Sequence, residues 1–318
     1  MLPPMSARPA RRITPFTSHA AVQPMAEAEA RGPARDPRFP IPQYTAHING
    51  VRTAFADSGG SHRGPPILFV HGLAGNAAHW VHVAPRFVER HRVLAVDLPG
   101  NGASARAPWA HSIDAYVGHL ASFLDLMGEE RALLVGHSMG GMVALRFALR
   151  HPDRLAAAAL VNPAGMARLP AWARLGGRAL LRRRLLTRLL PVVWKHGILG
   201  NVFYEKNRHT RDFIHMLETS AAPHEQAAVL ESVGALMAEM REDLLERDFG
   251  ALLSQISRPI GVVFGEKDRL VPARLLREAA RRLPHVTVDE IPRCGHMPNI
   301  EQPERVVRFL ERMASRAT

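Results

Sequence analysis

The chain has 318 residues, 47% of them hydrophobic and 22% charged, which is ordinary for a globular protein with a sizeable core. No apolar run approaches the length of a membrane span, and the single cysteine, Cys294, excludes an internal disulfide bond and disfavours a cysteine-based metal site. Of the formal net charge of +12, +10 lies between residues 168 and 211, where eleven Lys or Arg residues accompany one acidic residue, so the basic character is local.

Residues 1–40 are rich in Pro, Ala and Arg and show no regular apolar period. This pattern predicts a disordered N-terminal extension, to which we assign no function. The early arginines are not followed by the apolar region of a secretory signal. Together with the single cysteine, this predicts a cytoplasmic protein.

Residues 41–163 and 248–318 read as one α/β core in two pieces. Asn49-Gly50 is a strong hairpin signal between the first two strands, and later short apolar runs are mostly separated by helix-like stretches. Apolar strands that alternate with helices predict a mostly parallel, eight-stranded sheet with helices on both faces. In chain order, the eight predicted strands lie in the segments YTAHIN, VRTAFADSG, PILFVHG, RVLAVDLPG, ALLVGHS, AAALVNPAG, PIGVVFGEKD and VTVDEIP.

The sixth and seventh strands are separated by roughly ninety residues of largely helical composition, far more than a normal crossover requires. We interpret residues 164–247 as an inserted helical cap. It would lie over the carboxyl ends of the strands, where sheets of this kind bind ligands.

The segment GHSMG, Gly136 to Gly140, follows the fifth strand and precedes an apolar helix face. It fits G-x-S-x-G, the sharp turn that presents a nucleophilic serine at a helix N-terminus. Its two glycines leave room for neighbouring elements, and the central residue, Ser138, is the candidate nucleophile. The pentapeptide alone also fits a serine that only caps the helix.

A catalytic serine needs a base and an orienting carboxylate, which in this kind of fold follow it in the order acid, then histidine. Asp268 ends the seventh strand and His296 follows the last, so both fit that order. Asp97 precedes the serine and is better explained as a residue that holds its own loop. The position after the sixth strand, another place for the acid, carries Asn162, and Glu266 reads as a surface residue.

Other histidines have structural interpretations, at a turn, within the elbow and at a helix end: His71, His137 and His151. His79 and His82 have a spacing that metals can use, but no clear third ligand accompanies them, so we predict no metal site. Two backbone N–H groups are expected to form an oxyanion hole, that of Met139 and that of Leu73 in the loop that begins His71-Gly72.

Five segments in this order resemble the α/β-hydrolase superfamily, specifically its serine-dependent, esterase- and lipase-like branch with a helical cap: HGLAG, DLPGNGAS, GHSMGG, GEKDRLVP and CGHMPNIEQPE. The resemblance covers about residues 44–309, excluding the cap. It implies the α/β-hydrolase fold and, because the nucleophile position holds Ser138, disfavours the dehalogenase and epoxide hydrolase chemistry that uses an aspartate.

The resemblance implies hydrolysis of a carboxylic ester through an acyl-enzyme, with no metal or organic cofactor. Thioesterase, lactonase and perhydrolase chemistry remain open, as does a carbon-carbon bond hydrolase of ring-cleavage products that uses the same triad. A non-catalytic binding protein built on this fold is a further alternative. Nucleic acid is not an expected partner, because the basic segment lacks an aromatic stacking pattern.

The basic cap segment has several interpretations. In RALLRRRLLTRLLPVVW, leucines and arginines intermix around a helix instead of separating into two faces. This favours a half-buried cap helix whose arginines reach water over a helix that contacts a membrane surface. Attraction of acidic or lipid-phosphate substrates is a third interpretation, and solvated charges without a binding role a fourth.

Overall fold

The computed structural model describes residues 22–24, 41–60, 64–181, 199–219, 223–282 and 286–317. The described strands form one nine-stranded sheet. In chain order they are β1 (Val22–Pro24), β2 (Gln43–Ile48), β3 (Val51–Asp57), β4 (Ile67–Val70), β5 (Val93–Val96), β6 (Ala132–His137), β7 (Leu155–Val161), β8 (Ile260–Gly265) and β9 (Thr287–Ile291).

The sheet has the order β1-β2-β3-β5-β4-β6-β7-β8-β9. The first three strands pair antiparallel, and the run from β5 through β4 to β9 is parallel, with Phe69 opposite Val135 between β4 and β6. The prediction of eight strands in a mostly parallel sheet is therefore confirmed by β2 to β9. The short β1 is an additional strand within residues 1–40. The other residues of that range lie outside the described residues.

The described α-helices are α1 (Ile113–Leu126), α2 (Met139–Arg150), α3 (Ala171–Leu180), α4 (Leu199–Val202), α5 (Arg208–Thr219), α6 (Pro223–Glu239), α7 (Arg241–Glu246), α8 (Ala273–Ala280), α9 (Pro298–Glu301) and α10 (Pro303–Ala314). Short 3-10 helices occur at Ala77–Trp80, Ala84–Phe87, Pro152–Arg154 and Leu253–Gln255.

Both faces of the sheet are buried, which explains why its central strands are continuously apolar. Along β4, Leu68 and Val70 pack in the layer that holds α1 and α2. The alternate residues, Ile67 and Phe69, pack in the opposite layer, which holds α10 and the first two 3-10 helices. Because successive side chains of a strand point to opposite faces of the sheet, the apolar run of β4 contributes to both hydrophobic layers.

The described part of residues 164–247 contains α3 to α7, between β7 and β8. Leu181, Val233 and Leu245 form a small apolar cluster among these helices, separate from the two layers against the sheet. Much of the leucine- and arginine-rich segment, residues 182–198, lies outside the described residues. The interpretation of 164–247 as a cap stays a prediction.

Candidate active site

Ser138 lies in the tight connection between β6 and α2, with φ 52° and ψ −112°. Left-handed φ is rare for a residue with a side chain and stores strain in the backbone. The Ser138 N–H donates to the Val161 carbonyl at 3.0 Å, which ties the turn to the neighbouring strand. Ser138 is partly accessible while His137 and Met139 beside it are buried, so the turn presents one polar side chain.

The glycines of the turn have the steric role that the sequence predicts. A Cβ on Gly140 would collide with the carbonyl oxygens of Val70 and His71 at the end of β4. A Cβ on Gly136 would meet the main chain of Gly140 and lie 2.7 Å from the Gly141 nitrogen. Only residues without side chains therefore allow β6, α2 and the end of β4 to pack this closely.

Asp268 and His296 are brought together by the ends of β8 and β9. The His296 Nδ1–H donates to Asp268 Oδ2 at 2.7 Å, and both residues are buried. Asp268 Oδ1 accepts from the backbone N–H groups of Leu270 and Val271 at 2.7 and 3.0 Å. Burial alone would raise the pKa of Asp268, but the His296 ring and these hydrogen bonds hold that pKa below its ordinary value.

His137 links the elbow to His296. Its Nε2–H donates to the His296 carbonyl at 2.9 Å, and the two ring centroids are 4.9 Å apart. Burial lowers the pKa of His137 to about 3, so its ring is neutral at physiological pH. The Ser138 hydroxyl makes no hydrogen bond within the described part of the chain; in free enzymes such contacts commonly tighten only when substrate binds.

The loop after β4 packs directly on the elbow. A Cβ on Gly72 would lie 2.8 Å from His137 Nδ1 and 3.2 Å from the Ser138 Cβ. Leu73 follows Gly72 in this loop, and Met139 follows Ser138 as the first residue of α2. The role of their two N–H groups as oxyanion donors stays a prediction.

Asn162 contacts Asp268, and the sequence did not predict this role. It lies at the end of β7, fully buried, with φ 43°. Its Nδ2 donates to Asp268 Oδ2 at 2.5 Å, while its Oδ1 accepts from the Gly265 N–H at 3.3 Å. The available signal is its position after the sixth strand, where an amide can support a carboxylate as well as replace one.

The rival carboxylates have structural roles. Asp97 accepts from the backbone N–H of Ala103 at 2.8 Å, which confirms that it holds its own loop, and from that of Ala77 at 2.7 Å, which joins this loop to the first 3-10 helix. Glu266 forms an ion pair with Lys267 at 3.0 Å, and its side chain is 35% exposed.

His71 is also structural. Its Nδ1–H donates to the Gly72 carbonyl at 2.6 Å, and its Nε2 accepts from the Leu98 N–H at 2.9 Å. Burial lowers the pKa of His71 to about 4. In the described ranges, no three His, Cys, Asp or Glu side chains gather as a metal site, and this includes the surroundings of His79 and His82.

Two arginines of the predicted cap are paired with an acidic residue of a neighbouring helix. Arg174 lies 2.5 Å from Glu246 and Arg178 lies 3.1 Å from the same carboxylate. These two charges are therefore partly neutralised within the protein. Trp172 and Leu175 of the same helix are 78% and 67% exposed, and contact with a membrane surface or anionic substrate stays a prediction.

The comparisons with known proteins agree with this architecture. The α/β hydrolase fold family model matches residues 65–303, and the chain belongs to this family. A pimeloyl-(acyl-carrier protein) methyl ester esterase of Aeromonas hydrophila subsp. hydrophila is 31% identical over 255 residues, which cover 78% of this chain and 95% of the relative.

Two solved structures share the fold. A thermophilic esterase from Thermogutta terrifontis has a TM-score of 0.71 and 24% identity, over 86% of this chain and 98% of that one. A meta-cleavage product hydrolase from Pseudomonas fluorescens IP01 has a TM-score of 0.67 and 22% identity, over 86% and 98%. An esterase and a meta-cleavage product hydrolase are thus both represented among proteins of this fold.

None of the helices in the part of the chain that the structure describes has the length and apolarity needed to cross a bilayer.

Proposed function

We propose that this protein is a serine hydrolase that cleaves carboxylic esters through an acyl-enzyme, with Ser138, Asp268 and His296 as its triad. The observation that supports this most is the buried hydrogen bond from His296 to Asp268, beside a strained turn that presents one serine. A histidine oriented in this way can keep Nε2 free to accept a proton. The methyl ester esterase among the relatives supports an ester substrate.

In the proposed reaction, the Ser138 Oγ attacks the acyl carbonyl carbon and its proton passes to His296 Nε2. The negative charge on the carbonyl oxygen is stabilised by the N–H groups of Leu73 and Met139. The bond to the alcohol then breaks, and His296 returns the proton to the leaving oxygen. Water, deprotonated by His296, then attacks the acyl carbonyl carbon. The bond to the Ser138 Oγ breaks, the acid is released, and His296 returns the proton to the Ser138 Oγ.

Asp268 stays ionised throughout and stabilises the imidazolium that forms on His296. Its lowered pKa suits this role, because the carboxylate persists through the neutral pH range. The carbon-carbon hydrolase alternative would use the same three residues on a dienol substrate. The meta-cleavage hydrolase likeness, at 22% identity, supports the fold alone.

The test is hydrolysis of p-nitrophenyl esters from acetate to long acyl chains by the wild type and by Ser138→Ala. We expect the substitution to lower kcat by roughly 10³-fold or more, since it removes the nucleophile. Ser122→Ala, on α1 at a hydrogen bond to Asn49, is the matched control and should retain full activity. Equal activity of Ser138→Ala and wild type, or no hydrolysis of any ester by folded wild type, would overturn the proposal.

A further inference from the structure

The loop that carries His296 is attached to the chain segment that follows α4. The His296 N–H donates to the carbonyl of Val202, the last residue of α4, at 2.7 Å. A Cβ on Gly295 would lie 2.5 Å from the Val202 oxygen and 2.8 Å from the Tyr204 nitrogen. The backbone of the proposed base is therefore in direct contact with a segment that belongs to the predicted cap.

One carboxylate, that of Glu301 at the end of α9, binds both segments. Its Oε2 accepts from the N–H groups of Gly295 and Tyr204 at 3.0 and 3.1 Å, and its Oε1 accepts from the N–H of Glu205 at 2.8 Å. The Glu301 carbonyl also accepts from Asn207 Nδ2 at 2.7 Å. Glu301 is 1% exposed, so these bonds are sheltered from water.

Burial of a carboxylate is costly unless hydrogen bonds or a cation compensate for the lost water. Among the described residues, no Lys, Arg or His side chain forms an ion pair with Glu301, so backbone donors provide the compensation. Three donors from two distant segments converge on its two oxygens. An amide of the same shape has only one oxygen, and its NH₂ group would face at least one N–H donor.

We propose that Glu301 is a positioning residue that holds the His296 loop against residues 202–207 and so sets the His296 ring relative to Ser138. This inference rests on the proposed function, because it assigns the positioned group to the catalytic base. It also couples the two segments: displacement of residues 202–207 would be transmitted to His296 through Gly295. The base and the predicted cap thus share one buried carboxylate.

The test compares Glu301→Gln with Glu304→Gln, an exposed glutamate three residues further along the chain. For p-nitrophenyl butyrate, we expect Glu301→Gln to lower kcat roughly 10- to 100-fold through misplacement of the base. KM should stay within about twofold of the wild-type value, because the ion pair between Glu205 and Arg293 would still hold residues 202–207 in place. Glu304→Gln should match the wild type.

A spectroscopic measurement separates positioning from a general loss of stability. The Nδ1 proton that His296 shares with Asp268 should give a low-field proton NMR signal in the wild type and in Glu304→Gln. In Glu301→Gln this signal should shift or disappear while thermal unfolding stays cooperative. If Glu301→Gln does not fold, Gly295→Ala replaces it, since its Cβ would press on Val202 and Tyr204.

A folded Glu301→Gln protein with wild-type kcat and an unchanged signal would overturn the inference. A rise in KM with unchanged kcat would also overturn it, because the residue would then act on the cap segment alone. Inactivity of the wild type on every ester would instead count against the proposed function. The NMR comparison would still test whether Glu301 positions His296.

Discussion

The orientation of Asp268 depends on a side-chain amide as well as on backbone donors. Asn162 donates to the same oxygen, Oδ2, that accepts the hydrogen bond from His296, while the N–H groups of Leu270 and Val271 donate to Oδ1. The left-handed backbone of Asn162, at φ 43°, is one that Asn and Asp adopt more readily than other residues with side chains. Replacement of Asn162 by Asp therefore adds no backbone strain.

We expect Asn162→Asp to lower kcat/KM roughly 10-fold or more at pH 8. The new carboxylate would face Asp268 Oδ2, and two adjacent carboxylates do not ionise independently. The measurement is ester hydrolysis, with Asn49→Asp as control because Asn49 also has left-handed φ, at 51°, in the hairpin between β2 and β3. Equal kcat/KM in both variants would contradict a role for the Asn162 amide.

At the scale of elements, the N-terminus of α1 is held by two acceptors from different parts of the chain. Ser112 accepts from the Ala115 N–H at 3.1 Å, which is an ordinary N-cap. Asp243 of α7 accepts from the Ile113 N–H at 2.7 Å and also binds Arg247. A carboxylate is favoured at this position because it faces the positive end of the helix dipole. The contact anchors the predicted cap to the core.

Removal of that anchor should destabilise the protein. For Asp243→Ala we expect a loss of about 2 kcal/mol in the free energy of unfolding, since a buried N–H and Arg247 would lose their acceptor. The adjacent Glu242→Ala is the control, because Glu242 is 63% exposed and should cost less than about 0.5 kcal/mol. Urea unfolding measures both, and equal losses would show that Asp243 is no anchor.

Across the whole molecule, several histidines are buried without charge. Burial lowers the pKa of His71 and His119 to about 4 and that of His137 to about 3, from an ordinary value of 6.5. Between these values the unfolded chain binds protons that the folded protein does not, so stability is complete above pH 6.5 and is lost as the pH falls. Asp97 acts in the opposite direction, because burial raises its pKa to about 6.

The net effect should be a protein that is sensitive to mild acid. We expect the free energy of unfolding to fall by roughly 3 kcal/mol between pH 7.5 and 5.5, since three histidines outweigh one aspartate. Urea unfolding at both pH values is the measurement. His119→Gln should reduce the difference by about 1.4 kcal/mol, and the exposed His47→Gln is its control. A stability that does not change over this range would contradict the prediction.

Much of the fold was predictable because its signals are local. Short apolar runs between turn residues located β2 to β9, and the G-x-S-x-G spacing of Gly136 and Gly140 indicated the sharp turn. Motif and order along the chain identify Ser138, Asp268 and His296 as candidates. The hydrogen bond between Asp268 and His296 in the structure is compatible with this prediction.

The sequence by itself determined the class of fold, the order of elements along the chain and the candidate chemistry. Only the tertiary structure decided that β4 lies between β5 and β6, that Asn162 supports Asp268, and that Glu301 joins the His296 loop to residues 202–207. The contact of Asn162 with Asp268 and those of Glu301 with Tyr204 and Glu205 join residues roughly a hundred positions apart. These contacts depend on how whole elements pack against each other, and no local pattern of residue types predicts that packing.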